Sequence, residues 1–298
     1  MEPAERPRAA FGGAGPALSE RLELHVRRLA GYIGERNILR PEALARAALY
    51  IEQTWTGAGY RVRREEYPVG DGTCRNLFVE TEPAGTRRPL LIIGAHYDSA
   101  PGTPGADDNA SGVAVLLELA AAVRRSRLPM PARFVSFASE EPPHFATGEM
   151  GSAFHAKRLR ADGTAVAGML SLEMLGYYDS RPGSQAYPPF LARFYPESAD
   201  FLALVSDFGS RDLIKRMAEG LRREGVRIET AALPRWVPGV SLSDHLSFWK
   251  ESYPAAMLTD TAMYRNPHYH MPTDTPETLD YPRMALLVEA LRRTLRAW

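Results

Sequence analysis

The sequence predicts an α/β domain with one mixed, largely parallel sheet of about eight strands, flanked by helices on both faces. Apolar runs typical of buried strands alternate with segments of helical periodicity, which is the pattern of α/β folds. A chain of 298 residues has room for one such sheet, and no Ser/Gly-rich linker divides it. These observations favour one large domain over two smaller ones.

The amino-terminal part of this domain is predicted to contain two helices and a hairpin. Apolar residues recur at helical spacing over residues 18–33 and 41–55, and Pro41 suits a first helical position. Residues 60–67 and 75–82 alternate apolar and polar side chains around a Gly-Asp-Gly-Thr turn. That alternation predicts an antiparallel pair of strands.

The remaining strands are predicted from more continuously apolar runs. Helical segments such as residues 111–125 and 211–224 separate most of them. The predicted strands are 90–95, 132–139, 166–175, 201–206, 226–233 and 254–259.

Composition excludes several classes of protein. Lys plus Arg and Asp plus Glu both total 36, so no excess charge attracts nucleic acid or an anionic membrane. The single cysteine, Cys74, excludes an intrachain disulfide, and no run of about 18 apolar residues predicts a membrane span. Residues 1–16 lack a signal peptide and are predicted to be a flexible tail on a catalytic domain of residues 17–298. We therefore expect a cytoplasmic protein.

Chemistry-bearing side chains follow the ends of the predicted strands, where α/β proteins tend to place their sites. Five of the seven histidines lie in these turns. Two or more imidazoles converging with several carboxylates are typical of a hydrolytic metal centre. The candidate residues for such a centre and its surroundings are His96, Asp98, Asp108, Glu140, Glu141, Glu173, Asp244, His245 and His270.

Each of these residues also has an ordinary structural interpretation when taken alone. A histidine after a strand is more often a surface or hydrogen-bonded residue than a metal ligand, and Asp107, Asp108 and Asn109 could cap the following helix. The combination argues otherwise, because so many acids at successive strand ends would repel one another without a cation.

The motifs GAHYDS, GADDNASG, SEE, LEMLG, SDH and YHMPTDT, in this order, resemble the di-zinc aminopeptidases of metallopeptidase family twenty-eight. Relatives in that family include carboxypeptidases, glutaminyl cyclases and the transferrin receptor. The resemblance extends from about Leu22 to the carboxyl terminus. The paired motifs GAHYDS and GADDNASG are specific to it, whereas SDH or a double Glu alone is not.

The resemblance implies two zinc ions and assigns a role to each matching residue. Asp108 would bridge the two ions, His96 and Glu173 would complete the first site, and Glu141 and His270 the second. Glu140 would be the general base. The family also implies a cis peptide bond between Asp108 and Asn109.

Asp98 has a supporting role by its position, because it lies two residues after His96 and can accept the proton of its second ring nitrogen. Glu140 and Asp98 are thus the predicted catalytic residues. Asp244 and His245 are predicted to support the site or contact the reacting substrate, although the same SDH segment could simply cap a helix. Tyr177 and Tyr264 are predicted to line a pocket for an apolar terminal side chain of a peptide substrate.

Two features depart from the family pattern. Glu173 stands where the aminopeptidases usually have aspartate, and the extra methylene predicts a changed metal spacing or a weaker first site. The segment 142–151 is longer and richer in proline than expected, which affects the pocket rather than the metal ligands.

Three other functions share this fold. A glutaminyl cyclase would use one zinc held by Asp108, Glu141 and His270. The presence of His96 within a complete five-ligand set favours the peptidase, but single-zinc cyclases can retain much of that set. A non-catalytic relative would lack ligands, and here none is missing. A carboxypeptidase would need a cation for the substrate carboxylate. The sequence offers Arg181, Arg235 and Arg265 for that purpose.

Overall fold

A computed structural model describes residues 16–81 and 88–298 of the chain. The tail predicted over residues 1–16 lies outside these ranges except for its last residue. The core of the fold is one eight-stranded sheet in the order β1-β2-β4-β3-β5-β8-β6-β7. The predicted α/β class and the mixed, mostly parallel sheet are therefore confirmed.

Four adjacent strands of the sheet run parallel and form its centre. They are β4, β3, β5 and β8, while β1, β2 and β6 each introduce an antiparallel pairing. β3 is buried at every residue, as expected for a central parallel strand. The strands are β1 Arg63–Val69, β2 Gly72–Glu80, β3 Leu90–His96, β4 Ala132–Phe137, β5 Val166–Glu173, β6 Leu202–Ser206, β7 Ile228–Ala232 and β8 Ala255–Thr259.

The hairpin predicted near the amino terminus is present, with Tyr67 opposite Cys74 in the antiparallel register. The two leading helices are also present, although the first changes to a π-helical segment at Arg27–Ile33. In the second helix Ala47, Ile51 and Trp55 are fully buried at four-residue spacing, so one face packs on the core. The helix predicted over residues 41–55 is confirmed.

Helices cover both faces of the sheet. α1, α2, α3, α5 and α7 pack with one set of strand side chains, and α4 and α6 pack with the other. The helices are α1 Pro16–Val26, α2 Pro41–Gly57, α3 Gly112–Val123, α4 Gly151–Ala161, α5 Arg211–Arg223, α6 His245–Lys250 and α7 Tyr281–Arg296. No helix in the two described ranges is long and apolar enough to cross a membrane.

This topology fixes where a site can form. The carboxyl ends of β4, β3, β5 and β8 meet at one edge of the sheet, because these four strands are parallel. The chain leaves that edge in loops, where α/β proteins tend to place their functional groups.

Candidate metal centre and its cavity

His96 is the last residue of β3 and its side chain is 1% exposed. Its Nε2 faces the edge of the sheet and lies close to several carboxylates. Its Nδ1 lies 3.5 Å from Oδ1 of Asp98, a distance for charge attraction rather than a well-formed hydrogen bond. Asp98 thus lies on the side of the ring where the sequence predicted it.

Asp98 also holds the next strand end in place. Its two oxygens accept the backbone N–H groups of Glu140 at 3.2 Å and Glu141 at 3.1 Å. These two glutamates follow β4, which is the parallel neighbour of β3. One buried carboxylate therefore positions the ring of His96 and the Glu140–Glu141 backbone together.

Asp108 lies between two histidines. Its Oδ1 is 3.3 Å from Nε2 of His96, and its Oδ2 is 3.2 Å from Nε2 of His270. The residue lies in the irregular turn Ala106–Ser111, where its φ and ψ are not helical. The peptide bond from Asp108 to Asn109 is cis, as the family resemblance implied.

The neighbours Glu140 and Glu141 approach different histidines. Oε2 of Glu141 is 3.3 Å from Nε2 of His270, whereas Oε2 of Glu140 is 3.9 Å from Nε2 of His96. Glu141 therefore forms a compact group with Asp108 and His270. Glu140 lies beside that group, with a longer approach to the nearest imidazole.

Glu173 ends β5 and completes the group around His96. Both of its carboxylate oxygens are 3.4 Å from Nε2 of His96. Oε2 also accepts a 2.7 Å hydrogen bond from Ser243, which is itself paired with Ser171. The longer side chain of glutamate thus reaches the position predicted for it and is held there by a serine.

The donor atoms form two overlapping groups that fit divalent cations. His96, Asp108 and Glu173 form one, and Asp108, Glu141 and His270 form the other, with all chosen atoms within 4.8 Å of one another in each. Oδ1 of Asp108 and Oε1 of Glu141 are buried without a hydrogen-bond partner among the described residues. Unsatisfied buried carboxylate oxygens of this kind are the ligands that zinc accepts with imidazole nitrogen. A third grouping, of His96, Glu140 and Glu141, is also close enough to hold an ion.

The protonation equilibria of this cluster reflect its crowding. Burial raises the pKa of Glu140 well above its usual range and that of Glu141 to about 8. Burial opposes the ionised form of Asp108, but the neighbouring imidazoles of His270 and His96 outweigh it and keep the pKa of Asp108 low. Cations would replace the protons that this cluster otherwise has to share.

Two buried residues outside the predicted set hold the turn that carries Asp108. The carboxylate of Asp274 accepts the backbone N–H of Asp107 at 2.8 Å and that of Asp108 at 3.1 Å. Arg36, which is fully buried, donates to the backbone oxygens of Tyr97, Pro104 and Gly105. Asp274 lies in the YHMPTDT motif, so the sequence contained a signal for it, whereas Arg36 stands in no motif.

The metal cluster opens into a cavity of about 190 Å³ whose wall is mostly apolar. The side chains that line it on the sheet come from β5, β6, β7 and β8, and loops cover the other side. Five acids also line it, namely Asp108, Glu140, Glu141, Glu173 and Glu229. No lysine or arginine in the described parts of the chain lines this cavity.

The four residues predicted to contact substrate lie in different places. Tyr264 lines the cavity, whereas Tyr177, Asp244 and His245 do not. Asp244 is fully buried next to the acid cluster, where burial raises its pKa to about 7. It precedes α6 without capping that helix through its side chain, so the alternative interpretation of the SDH segment as a cap is not what the structure shows.

His245 is buried beneath the cavity wall. Its Nε2 bonds to the backbone oxygen of Val240 at 2.8 Å, and its ring packs edge-on against Trp249. Burial lowers the pKa of His245 to about 4, so the ring is neutral near pH 7. Tyr177 packs edge-on against His268 at the surface. Neither His245 nor Tyr177 therefore lies where its side chain would contact a substrate in the cavity.

The proline-rich segment after Glu141 forms part of the cavity wall. Pro142 and Phe145 line the cavity, and His144 instead pairs with Glu149 at 2.7 Å. The expectation that this segment shapes the pocket fits its position.

Known proteins match the chain over most of its length. The sequence profile of Peptidase family M28 matches residues 76–295. The uncharacterized protein YfbL of Escherichia coli (strain K12) is 41% identical over 92% of this chain and 87% of its own. Leucine aminopeptidase 1 of Fusarium vanettenii is 28% identical over 80% of this chain, which spans 58% of that protein.

Solved structures with the same fold include enzymes of two kinds. A zinc aminopeptidase from Bacillus subtilis is superposed with a TM-score of 0.72 at 15% identity, covering 92% of this chain and 94% of its own. A glutaminyl cyclase of Fimbriiglobus ruber is superposed with a TM-score of 0.73 at 20% identity, covering 99% of this chain and 100% of its own. The same fold therefore occurs in hydrolytic and in cyclising enzymes, so the reaction has to be inferred from the site.

Proposed function

The chain belongs to peptidase family M28, and on that basis we propose that it is a two-zinc aminopeptidase. Residues 17–298 would form its catalytic domain and amino-terminal residues of peptides would be its substrates. The relatives described as leucine aminopeptidases support this reaction, and the aminopeptidase of known structure supports zinc as the metal.

The observation that carries the proposal is the position of Asp108. Its two oxygens face two different imidazoles, His96 at 3.3 Å and His270 at 3.2 Å. A carboxylate in this position can bridge two ions, and each ion then has a further carboxylate, Glu173 on one side and Glu141 on the other. The group around His96 would give a second ion its own ligands, which favours two ions over one.

When bound in these positions, zinc would polarise the substrate carbonyl and lower the pKa of the attacking water. Glu140 lines the cavity beside both ligand groups, so we assign it the proton transfers. Its carboxylate accepts a proton from the attacking water and returns it to the nitrogen of the leaving amine. Asp98 keeps Glu140 and Glu141 in position through their backbone N–H groups.

The charge of the cavity favours an amino terminus over a carboxyl terminus. Five acids line the cavity and, in the described ranges, no lysine or arginine does. The three arginines available for a carboxypeptidase are engaged elsewhere. Arg181 pairs with Asp179, Arg235 pairs with Asp207, and Arg265 donates to Gln185 and to the backbone oxygen of Phe201. The cavity wall in the described ranges therefore offers no protein cation to pair with a substrate carboxylate, which disfavours a carboxypeptidase.

A panel of fluorogenic aminoacyl, amino-terminal glutaminyl and carboxyl-terminal reporters tests the proposal. We expect hydrolysis of aminoacyl reporters, about two zinc ions per chain by elemental analysis, and loss of activity on chelation that added zinc restores. One tightly held zinc together with conversion of glutaminyl reporters to the cyclised product would instead identify a glutaminyl cyclase. Cleavage of the carboxyl-terminal reporters alone would identify a carboxypeptidase.

A further inference from the structure

A row of four residues crosses the sheet from the metal cluster to its far edge. Glu173 of β5 is in register with Thr259 of β8, Thr259 with Ala203 of β6, and Ala203 with Glu229 of β7. All four line the cavity. Neighbouring strands are about 4.8 Å apart, so the three steps from β5 to β7 separate Glu173 from Glu229 by roughly 14 Å.

The middle of this row has small side chains, and its one hydroxyl, that of Thr259, accepts the backbone N–H of Thr261. Ala203 and Thr259 leave room above the sheet between the two acids, and Val205 and Met257, two residues along the same strands, flank them on the same face. The space between the acids can therefore hold the aliphatic part of a side chain.

Glu229 has no protein partner for its charge. Its half-buried carboxylate forms no hydrogen bond or ion pair with any residue in the described ranges. The nearby hydroxyl of Tyr187 donates to the backbone oxygen of Pro196, and that of Tyr195 donates to the backbone oxygen of Thr230 at 3.1 Å. The donors beside Glu229 are thus already used, and the carboxylate is free for a ligand.

We propose that Glu229 determines specificity by binding the cationic end of a long amino-terminal side chain, that of lysine or arginine. The inference rests on the proposed aminopeptidase function. The α-amine and the peptide carbonyl would be at the metal end, the aliphatic stem would lie over Ala203 and Thr259, and the cation would reach Glu229. A lysine side chain spans about 6 Å from Cα to Nζ, and its contact with the carboxylate adds about 3 Å. These lengths cover the distance when the Cα of the substrate residue lies over Thr259, about 5 Å from Glu173, and a short side chain held there would not reach Glu229.

The test compares substrates that differ only in the terminal group of the side chain, which is cationic in one member of each pair and uncharged in the other. Lysyl and norleucyl reporters, and arginyl and citrullyl reporters, are assayed with the zinc-loaded protein. Glu229→Gln is compared with Glu219→Gln, which removes the same charge from the exposed face of α5. We expect the wild-type kcat/KM to be about 10- to 100-fold higher for lysyl than for norleucyl reporters. Glu229→Gln should bring this ratio near one, and Glu219→Gln should leave it as in the wild type.

Binding measurements keep the inference independent of hydrolysis. If no aminoacyl reporter is cleaved, the proposed function fails, and calorimetric binding of free lysine against norleucine then decides the role of Glu229. A lysine preference that Glu229→Gln and Glu229→Met both abolish supports the inference. A wild-type ratio of one, or a ratio that neither variant changes, overturns it.

Discussion

The two ends of the cavity are built in opposite ways. At the metal end, side chains that could bind metal are held by other protein groups, as Asp98, Asp274 and Ser243 show. At the sheet edge, Glu229 stands on β7 among apolar side chains, and no residue in the described ranges pairs with its charge. The side chains at the metal end are thus held by other protein groups, whereas the carboxylate of Glu229 is available to a substrate.

This difference separates reaction from substrate choice. A substitution at the metal end should alter zinc binding or proton transfer, and so affect all substrates alike. A substitution at the sheet edge should leave zinc in place and change the ratio between substrates. The following predictions, from the largest expected effect to the smallest, test whether the two ends are separable.

Asp108→Asn should have the largest effect. A neutral amide is a poorer bridging ligand than a carboxylate, so zinc content should fall and kcat/KM should decrease by more than about 10⁴-fold for every reporter. Elemental analysis and a reporter assay measure both. The control is Asp71→Asn in the exposed turn between β1 and β2, and a zinc-loaded, active Asp108→Asn protein would contradict the bridging role.

The Glu140→Gln variant should keep its zinc but have a lower kcat. The amide has nearly the size of the carboxylate but accepts no proton, so kcat should fall about 10³- to 10⁴-fold with little change in KM. Glu141→Gln is the matched variant and should instead lower zinc occupancy. The reverse outcome, with zinc lost only from Glu140→Gln, would exchange the roles of the two neighbours.

Asp274→Asn should weaken the metal end without removing a ligand. The amide cannot accept both backbone N–H groups that Asp274 now accepts, so the turn carrying Asp108 loses one of its supports. Zinc affinity should fall about 10- to 100-fold, and excess zinc should restore most of kcat. Titration against a chelator measures the affinity, and Asp212→Asn on the surface of α5 is the control.

Ala203→Leu should have the smallest effect and change only substrate choice. The larger side chain fills the space between Glu173 and Glu229, so kcat/KM for lysyl relative to alanyl reporters should fall about tenfold. Zinc content should equal that of the wild type. A parallel loss for both reporters, or loss of zinc, would mean that the two ends of the cavity are not separable.

Much of the fold could be predicted because its signals are local. The strands β3, β4, β5 and β8 are continuous apolar runs, and the first hairpin alternates around a glycine turn. The parallel centre of the sheet then brings the residues after β3, β4 and β5 to one edge, which is why the convergence of His96, Glu140 and Glu173 was predictable. Their roles in catalysis remain predictions.

Predicting the substrate contacts was less successful, since Tyr264 lines the cavity but Tyr177, Asp244 and His245 do not. Tyr177 and His245 lie in apolar or turn-rich segments that look the same in sequence whether they face a cavity or the core. Their side chains pack against His268 and Trp249 instead. Side-chain direction in such segments depends on neighbours that are remote in the chain.

The sequence by itself determined the α/β class through apolar periodicity, and the candidate metal ligands through short motifs that resemble a known family. Both signals involve residues that are close together in the chain. Only the tertiary structure decided which groups support those ligands and what faces them across the cavity. The bond from the backbone of Asp107 to Asp274 joins residues 167 positions apart. The row from Glu173 to Glu229 exists because β8 and β6 insert between β5 and β7. Strand order places these side chains on one face, and strand order depends on the packing of the whole sheet.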